Sequence, residues 1–431
     1  MKHKKGLIVF TVLFTIVVFF SIFFMTWFWG DEYEDFEGST FREEVDIPGL
    51  KDGACPQGLA MASHRLYNKD GEVEYVLDSN GEPTALEKTQ DYYFISAYFN
   101  DKPSRIYVTG KDSGYLGYVS LTYNGKPFKG HVGGVATNGT WLWLASENKV
   151  YCVKRSDTKA YTNVVDEIIQ KCVSNNEFEL NPDPATKSYF QINGSASFIS
   201  YFKPVSGTAT LYVGEFYRAG NYETPSSHHL TTPDGKTQRA FMYEYNVNSS
   251  GNFGLTLEDD EKMSEPVPEV KKIFSIPDRI QGVARVSGSS DRGDTLILSQ
   301  SYGLDNSEIM LYDYKTIETG KRDLYTTLDP LGFEYAGVTI KSSNGEKPYR
   351  YTGSLYVYYV YGDYNSKTED KNGNKLYPSF YRSYSIPSMS EGLAVSSSGR
   401  VNILFESASN KYKLFVRQPI DKIYSFMPYK R

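Results

Sequence analysis

Cysteine is scarce in this chain: three residues in 431, Cys55, Cys152 and Cys172, with no C-x-x-C pair among them. A disulfide scaffold is excluded, so a packed core must hold the fold. Histidine is nearly as rare, at positions 3, 64, 131, 228 and 229, which leaves few candidates for a general base. The H-E-x-x-H, G-x-S-x-G, phosphate-loop and dinucleotide signatures are all missing. Basic charge is missing too. The net charge is -6, and outside a lysine-rich head and one acidic stretch the chain is nearly neutral. That excludes nucleic acid as a partner, because a phosphate backbone needs a cationic footprint.

What the chain has in excess is an uncharged amino-terminal run. Residues 6–30, GLIVFTVLFTIVVFFSIFFMTWFWG, carry no charge and are long enough to cross the ~30 Å of a bilayer core as one helix. Lys2, Lys4 and Lys5 precede the run, and DEYEDFEGSTFREEVD (31–46), with eight acids and one Arg, follows it. Positive charge stays inside, so residues 1–5 form a cytoplasmic head and the rest lies outside the cell membrane. Bulky aromatics stand where a signal peptidase needs small residues, so the run reads as an uncleaved single-pass anchor. The acidic stretch 31–46 reads as a self-repelling linker, and 47–431 as the folded ectodomain. Outside the cytoplasm, the spacing of Cys152 and Cys172 allows a disulfide, with buried free thiols as the alternative.

From residue 90 onward the pattern is mostly strand. FISAYF (94–99), WLWLAS (141–146), TLILSQSY (295–302), VNILFES (401–407) and KLFVRQ (413–418) are short and rich in aromatic and β-branched residues. Hairpin dipeptides such as Asn124-Gly125, Asn138-Gly139 and Asp234-Gly235 separate them. TNVVDEIIQKC breaks the pattern: Val164, Val165, Ile168, Ile169 and Cys172 share one helical face, with Thr162 or Asn163 available as cap. The histidine pair of SSHHLTTPDG reads as an exposed polar loop, since neighbours on a strand point to opposite faces. The 37 tyrosines fit either strand packing or a contact face.

One phrase recurs. CPQGLAMAS, HVGGVATNG, RIQGVARVS and SMSEGLAVS each set a glycine before Leu or Val and Ala, and the glycines Gly58, Gly134, Gly282 and Gly392 are 76, 148 and 110 residues apart. Strands follow each copy. A weaker fifth copy includes FISYF (198–202), and residues 332–386 hold strands without the phrase. Repeated units of this kind define an all-β, five- or six-bladed β-propeller, with the small residues on the innermost strands where blades converge. Two β-sandwiches would also supply strands and turns, but not the recurring phrase.

Over residues 50–431 the phrase resembles β-propellers of the NHL-repeat and gluconolactonase-like kind. The resemblance implies a divalent metal in the tunnel, held in part by a Glu beside the first inner-strand glycine. Here Gln57 stands at that position and only Glu391 matches the Glu. If the phrases are equivalent, Gln57, Gln281 and Glu391 project around one axis with His131 near the same mouth, as candidates for binding a ligand or a divalent cation. Two functions follow: a membrane-anchored module that binds a protein, peptide or glycan, or a metal-dependent, lactonase-like hydrolase or lyase. The sparse imidazoles and carboxylates favour the binding module. Protease added to intact cells should digest or release the ectodomain; full protection while exposed control proteins are cut would overturn this orientation.

Overall fold

Five sheets built on four antiparallel strands are arranged around one axis, two of them extended at the outer edge by further strands. The computed structural model describes Phe36 and residues 40–428, except 69, 156–159, 175, 260, 289–292, 326–332, 352–353, 364–368, 370–372 and 374. The innermost strands are Cys55–Arg65, Val132–Thr137, Phe198–Phe202, Ile280–Val286 and Ser390–Val395. Each adjoins the next, and the fifth adjoins the first. The chain is therefore a five-bladed β-propeller. The four copies of the phrase and FISYF are its five inner strands.

The glycines explain why the phrase repeats. A Cβ on Gly58 would lie 2.6 Å from Gly134 Cα, one on Gly134 2.6 Å from Ile199 N, one on Gly282 2.6 Å from Glu391 O, and one on Gly392 2.6 Å from Leu59 N. Neighbouring inner strands thus touch backbone to backbone, leaving no room for a side chain. Blade three departs from the rule: Phe198 occupies the glycine position, and its ring covers Gly214 on the paired strand, where any Cβ would collide with it. The small residue has moved one strand outward, which is why this copy is faint in the sequence.

Among the described residues, 332–386 add no sixth inner strand. Phe333–Ser342 and Gly345–Tyr351 form a separate hairpin, Tyr356–Tyr359 runs parallel to Val270–Ile276 at the edge of blade three, and Phe380–Ile386 completes blade four. Tyr358, Tyr359 and Tyr361 are buried, whereas Tyr377 and Tyr381 stay exposed. KLFVRQ is turn rather than strand; the third strand of blade five is Lys422–Phe426.

Blade five contains both ends of the folded chain. Its outermost strand is Phe41–Asp46, antiparallel to Lys422–Phe426, so the ring is closed by hydrogen bonds between sequence-distant segments. This corrects the linker boundary: residues 41–46 of the acidic stretch are part of the propeller. Their charges are matched there. Glu43 pairs with Lys422 at 2.7 Å, and the nearly buried Glu44 accepts from Arg42 Nε at 2.6 Å and Lys111 Nζ at 3.2 Å. Burial alone would raise the Glu44 pKa, but bonds from Ser425, Arg42 and Lys111 hold it below the usual range. Residues 6–30 lie outside the described residues, which contain no helix long and apolar enough to cross a membrane.

The one long helix among the described residues is Val164–Val173, capped by Asn163, whose side chain accepts from Asp166 N at 3.0 Å. Its apolar face joins the core between blades one and two. Asp166 is fully buried and accepts from Arg65 Nη2 at 2.8 Å, from Tyr67 and from Gln170, with His64 Nε2 at 3.3 Å. Burial opposes its charge, yet the bonds from His64, Tyr67, Thr162 and Gln170 outweigh that and keep it ionised far below the usual carboxylate range. Cys172 lies in this core, and Cys152 lies in the next one, between blades two and three. The Cys152–Cys172 disulfide is therefore absent: both thiols are free and buried in separate cores, as is that of Cys55 elsewhere.

Gly282→Val and Gly392→Val should each destabilise the fold by ~1–3 kcal/mol through overpacking against backbone. Gly293→Ala, which meets nothing nearer than 3.4 Å, should stay within about 0.5 kcal/mol. Chemical denaturation measures both, and unchanged midpoints in the two valine variants would remove the backbone-contact account.

Candidate functional site

Each inner strand that carries the phrase also carries a β-bulge just before its glycine. Gln57 has no partner between the Pro56–Ala97 and Gly58–Ser96 pairs, and Gln281 has none between Ile280–Gln300 and Gly282–Ser299. Gly133 is the extra residue in blade two, and Glu391 with Gly392 opposes only Leu404 in blade five. A bulge re-aims the side chain it carries. Here it sends three long polar side chains toward the start of the inner strands.

These three meet. Gln281 Nε2 donates to Glu391 Oε1 at 3.3 Å, Glu391 bonds to Glu406, and Gln57 Nε2 donates to Glu406 Oε2 at 2.8 Å. Cys55 Sγ donates to the same Glu406 oxygen at 3.1 Å. The chain of bonds links blades four, five and one. His131 lies beside it: its ring centroid is 4.3 Å from that of Tyr98, which bonds to Cys55 of the cluster and whose hydroxyl accepts from Lys411 Nζ at 2.9 Å. The imidazole keeps an open edge to solvent, but the surrounding walls and the Lys411 ammonium push its pKa down and hold it neutral.

Burial, then the neighbouring Glu406, raises the Glu391 pKa well above the carboxylate range. Glu406 is also raised by burial, against the bonds from Cys55, Gln57 and Glu391 and the charge of Lys411. Glu391 thus carries the proton and donates it to Glu406. Two carboxyls in contact leave no space for a sugar, since retaining glycosidases separate theirs by about 5 Å. The Cys55 thiol is held protonated by burial and by Glu406, so it is not a ready nucleophile. Nor does the cluster suit a divalent metal: it presents an amide N–H, a thiol S–H and a shared proton where a cation needs lone pairs. Among the described residues no group of three or more His, Cys, Asp or Glu side chains is arranged to hold a metal ion.

Space lies at the other end of the axis. Where the inner strands finish, a cavity of about 740 Å³ opens, its wall built from Ala60, Ala62, Ser63, Ala394 and Tyr201, with Lys203 among its exposed lining residues. Arg285, which also lines it, is stacked 3.4 Å from the Tyr314 ring centroid and bonded to Asp294 and Tyr212. None of Gln57, His131, Gln281 and Glu391 lines this cavity.

Sequence reasoning missed Glu406, Tyr98 and Lys411. A signal existed: a Glu directly follows the second strand in three blades, at Glu147, Glu215 and Glu406. It also misplaced His228. A single 3-10 turn, Ser226–His228, carries that ring inward, where Nδ1 lies 2.8 Å from the fully buried Glu215 and the ring stacks on Phe241.

No known protein family matches the chain, and a search of curated proteins finds no relative. Solved structures similar to it include a protein from Thermus thermophilus described as an oxidoreductase (glucose dehydrogenase), 12% identical, covering 90% of this chain and 100% of its own with a TM-score of 0.32. An intramolecular trans-sialidase from Ruminococcus gnavus is 9% identical, covering 85% of this chain and 59% of its own, with a TM-score of 0.27. A protein from Bacteroides uniformis described as a 6-phosphogluconolactonase is 13% identical, covering 72% and 87%, with a TM-score of 0.20. The propeller is shown by the five blades themselves, and likenesses this distant add nothing to it.

The shared proton has a pH consequence. A raised folded pKa favours the protonated form, so the stability it gives is complete in acid and is lost as pH rises above the unfolded carboxylate range. Glu391→Gln keeps a donor to Glu406 but removes the titration. Its melting temperature relative to the parent should therefore rise between pH 5 and pH 8. A constant difference across that range would mean that Glu391 does not hold the proton.

Proposed function

We propose that the chain is a membrane-anchored, extracytoplasmic β-propeller that binds a protein, peptide or glycan partner through the cavity at the ends of its inner strands. The observation that carries this reading is the contrast between the two ends of the axis. At one end the polar side chains are spent on each other; at the other a cavity of about 740 Å³ stays open, within the ~300–1,000 Å³ typical of ligand sites. Its small and hydroxylated walls leave width, Tyr201 supplies an amphipathic surface, and Lys203 supplies a charge at an exposed position. Residues 6–30 support the anchor and the charge asymmetry around them supports the orientation.

The hydrolase reading has no specific observation in its favour, because the polar cluster lacks both the donor set and the room for a substrate. Glycan and peptide arrays probed with the detergent-solubilised full chain test the binding reading. Ligands retained by the parent should be lost, about tenfold or more for a contact at a central wall position, by Ser63→Trp and by Lys203→Glu, both at exposed sites lining the cavity. Undiminished binding by both folded variants would place the site elsewhere.

A further inference from the structure

The segment joining the last two strands of the closing blade, residues 407–421, has an unusual surface. Leu414 is 80% exposed and Phe415 58%, side by side. They do not belong to a loose tail. Tyr412 N and Lys413 N donate to Ser409 O, Phe415 N donates to Tyr412 O at 2.8 Å, and Ile420 N donates to Ser407 Oγ at 3.0 Å. Val416 and Ile420 are buried beneath. The turns therefore hold two large apolar side chains in water although the apolar Val416 and Ile420 are turned inward, which marks a contact surface rather than an incidental exposure.

The charge around the pair is also distinctive. Residues 407–420 contain Lys411, Lys413 and Arg417, and the acids of the connection, a half-buried Glu406 and an exposed Asp421, stand at its two ends away from Leu414 and Phe415 in sequence, in a protein of net charge -6. Apolar side chains framed by cations match the interface of a bilayer with anionic headgroups: the apolar part enters the acyl boundary and the cations meet phosphate.

The chain itself brings this segment to a membrane. Phe36 is 5% exposed, and its ring centroid is 4.4 Å from that of Tyr424 and 6.0 Å from that of Phe405. Phe405 is the last residue of the strand leading into the segment, and Tyr424 lies in the strand leading out of it. Only residues 31–35 separate Phe36 from the apolar run that ends at Gly30, a contour of about 20 Å at ~3.3–3.6 Å per residue. The acids among 31–35 oppose close contact by the linker itself. Contact falls to the nearby segment that has both cations and exposed apolar groups.

We infer that the 409–417 turn of blade five inserts Leu414 and Phe415 into the outer surface of the bilayer beside the anchor. This rests on the anchor proposed above. It sets the polar cluster toward the membrane and the open cavity away from it, where an external partner has access.

The full chain, reconstituted in phosphatidylcholine vesicles with about one-third phosphatidylglycerol, provides the test. In Leu414→Cys an environment-sensitive fluorophore reacts at residue 414, because Cys55, Cys152 and Cys172 are at most 4% exposed. Leu86→Cys is the reference, 65% exposed on a hairpin of blade one. Doxyl-labelled lipid should quench the probe at 414 several-fold more than the probe at 86. A chain that resists alkaline extraction yet shows equal quenching at the two sites overturns this inference and leaves the anchor standing. A chain that is extracted and shows equal quenching overturns both. A probe at 414 that is shielded from water but not quenched by lipid assigns the surface to a protein and also overturns the inference.

Discussion

Backbone-to-backbone contact between neighbouring inner strands is the constraint on which the rest of this structure depends. A five-membered ring brings its innermost strands closer than side chains allow, so Gly58, Gly134, Gly282 and Gly392 each face the main chain of the next blade at a distance no Cβ tolerates. The bulges follow from the same crowding. A strand whose main chain is pressed against its neighbour re-aims one residue by inserting it outside the ladder, and Gln57, Gln281 and Glu391 are those residues. Glycine and polar residue are adjacent in sequence because one makes the contact and the other leaves it.

Once three such residues converge, their chemistry is settled by burial. Two carboxyls with little access to water cannot both ionise, so one keeps its proton and donates to the other, and amide and thiol donors satisfy the remaining oxygen. Serines perform the same service one layer out. Ser96 Oγ accepts from Gly58 N at 3.0 Å and donates to Val132 O at 3.0 Å in the next blade, while Ser299 and Ser390 bond across blades four and five at 2.7 Å. The polar atoms near the axis thus tie one blade to the next. What resembles a tunnel site in sequence is, in three dimensions, part of the ring's closure.

The repeating part of the fold was legible because its cause is local: in four of the five inner strands a glycine meets the main chain of the next blade, and those four copies survive in plain form. Blade three was faint because Phe198 and Gly214 exchange the roles of large and small across a strand pair, a swap invisible to a reading that compares like positions. The closing strand was hidden for another reason. Phe41–Asp46 is acidic, and its partners Lys422, Lys111 and Arg400 come from distant parts of the chain, so composition alone makes it look like a spacer. Gln57, Gln281 and Glu391 could be named from the phrase. Their partner Glu406 stood in the recurring Glu after the second strand, but that it meets Gln57 and Glu391 depends on how blade five turns back on itself. His228 failed similarly: its polar neighbours advertise a loop, while Glu215, which draws it inward, lies 13 residues away.

The two ends of the axis differ because the inner strands begin and finish differently. They begin in bulges that deliver long polar side chains to a common point, and they finish beside an open cavity whose lining includes Ala60, Ala62, Ser63, Ala136, Thr137 and Ala394. Closure by both chain ends then concentrates distinct features on one blade. Blade five holds the amino-terminal strand, Glu391 and Glu406 of the buried network, and the 407–421 segment with its exposed apolar pair. Any pull on the amino terminus is therefore borne first by the packing of Phe36 on Tyr424 and Phe405, and then by the pairing of Phe41–Asp46 with Lys422–Phe426. The polar network fastens that blade to blades four and one through Gln281 and Gln57. A tether at this seam loads the ring where sequence-distant strands meet, at the outer edge of the blade whose innermost strand carries Glu391.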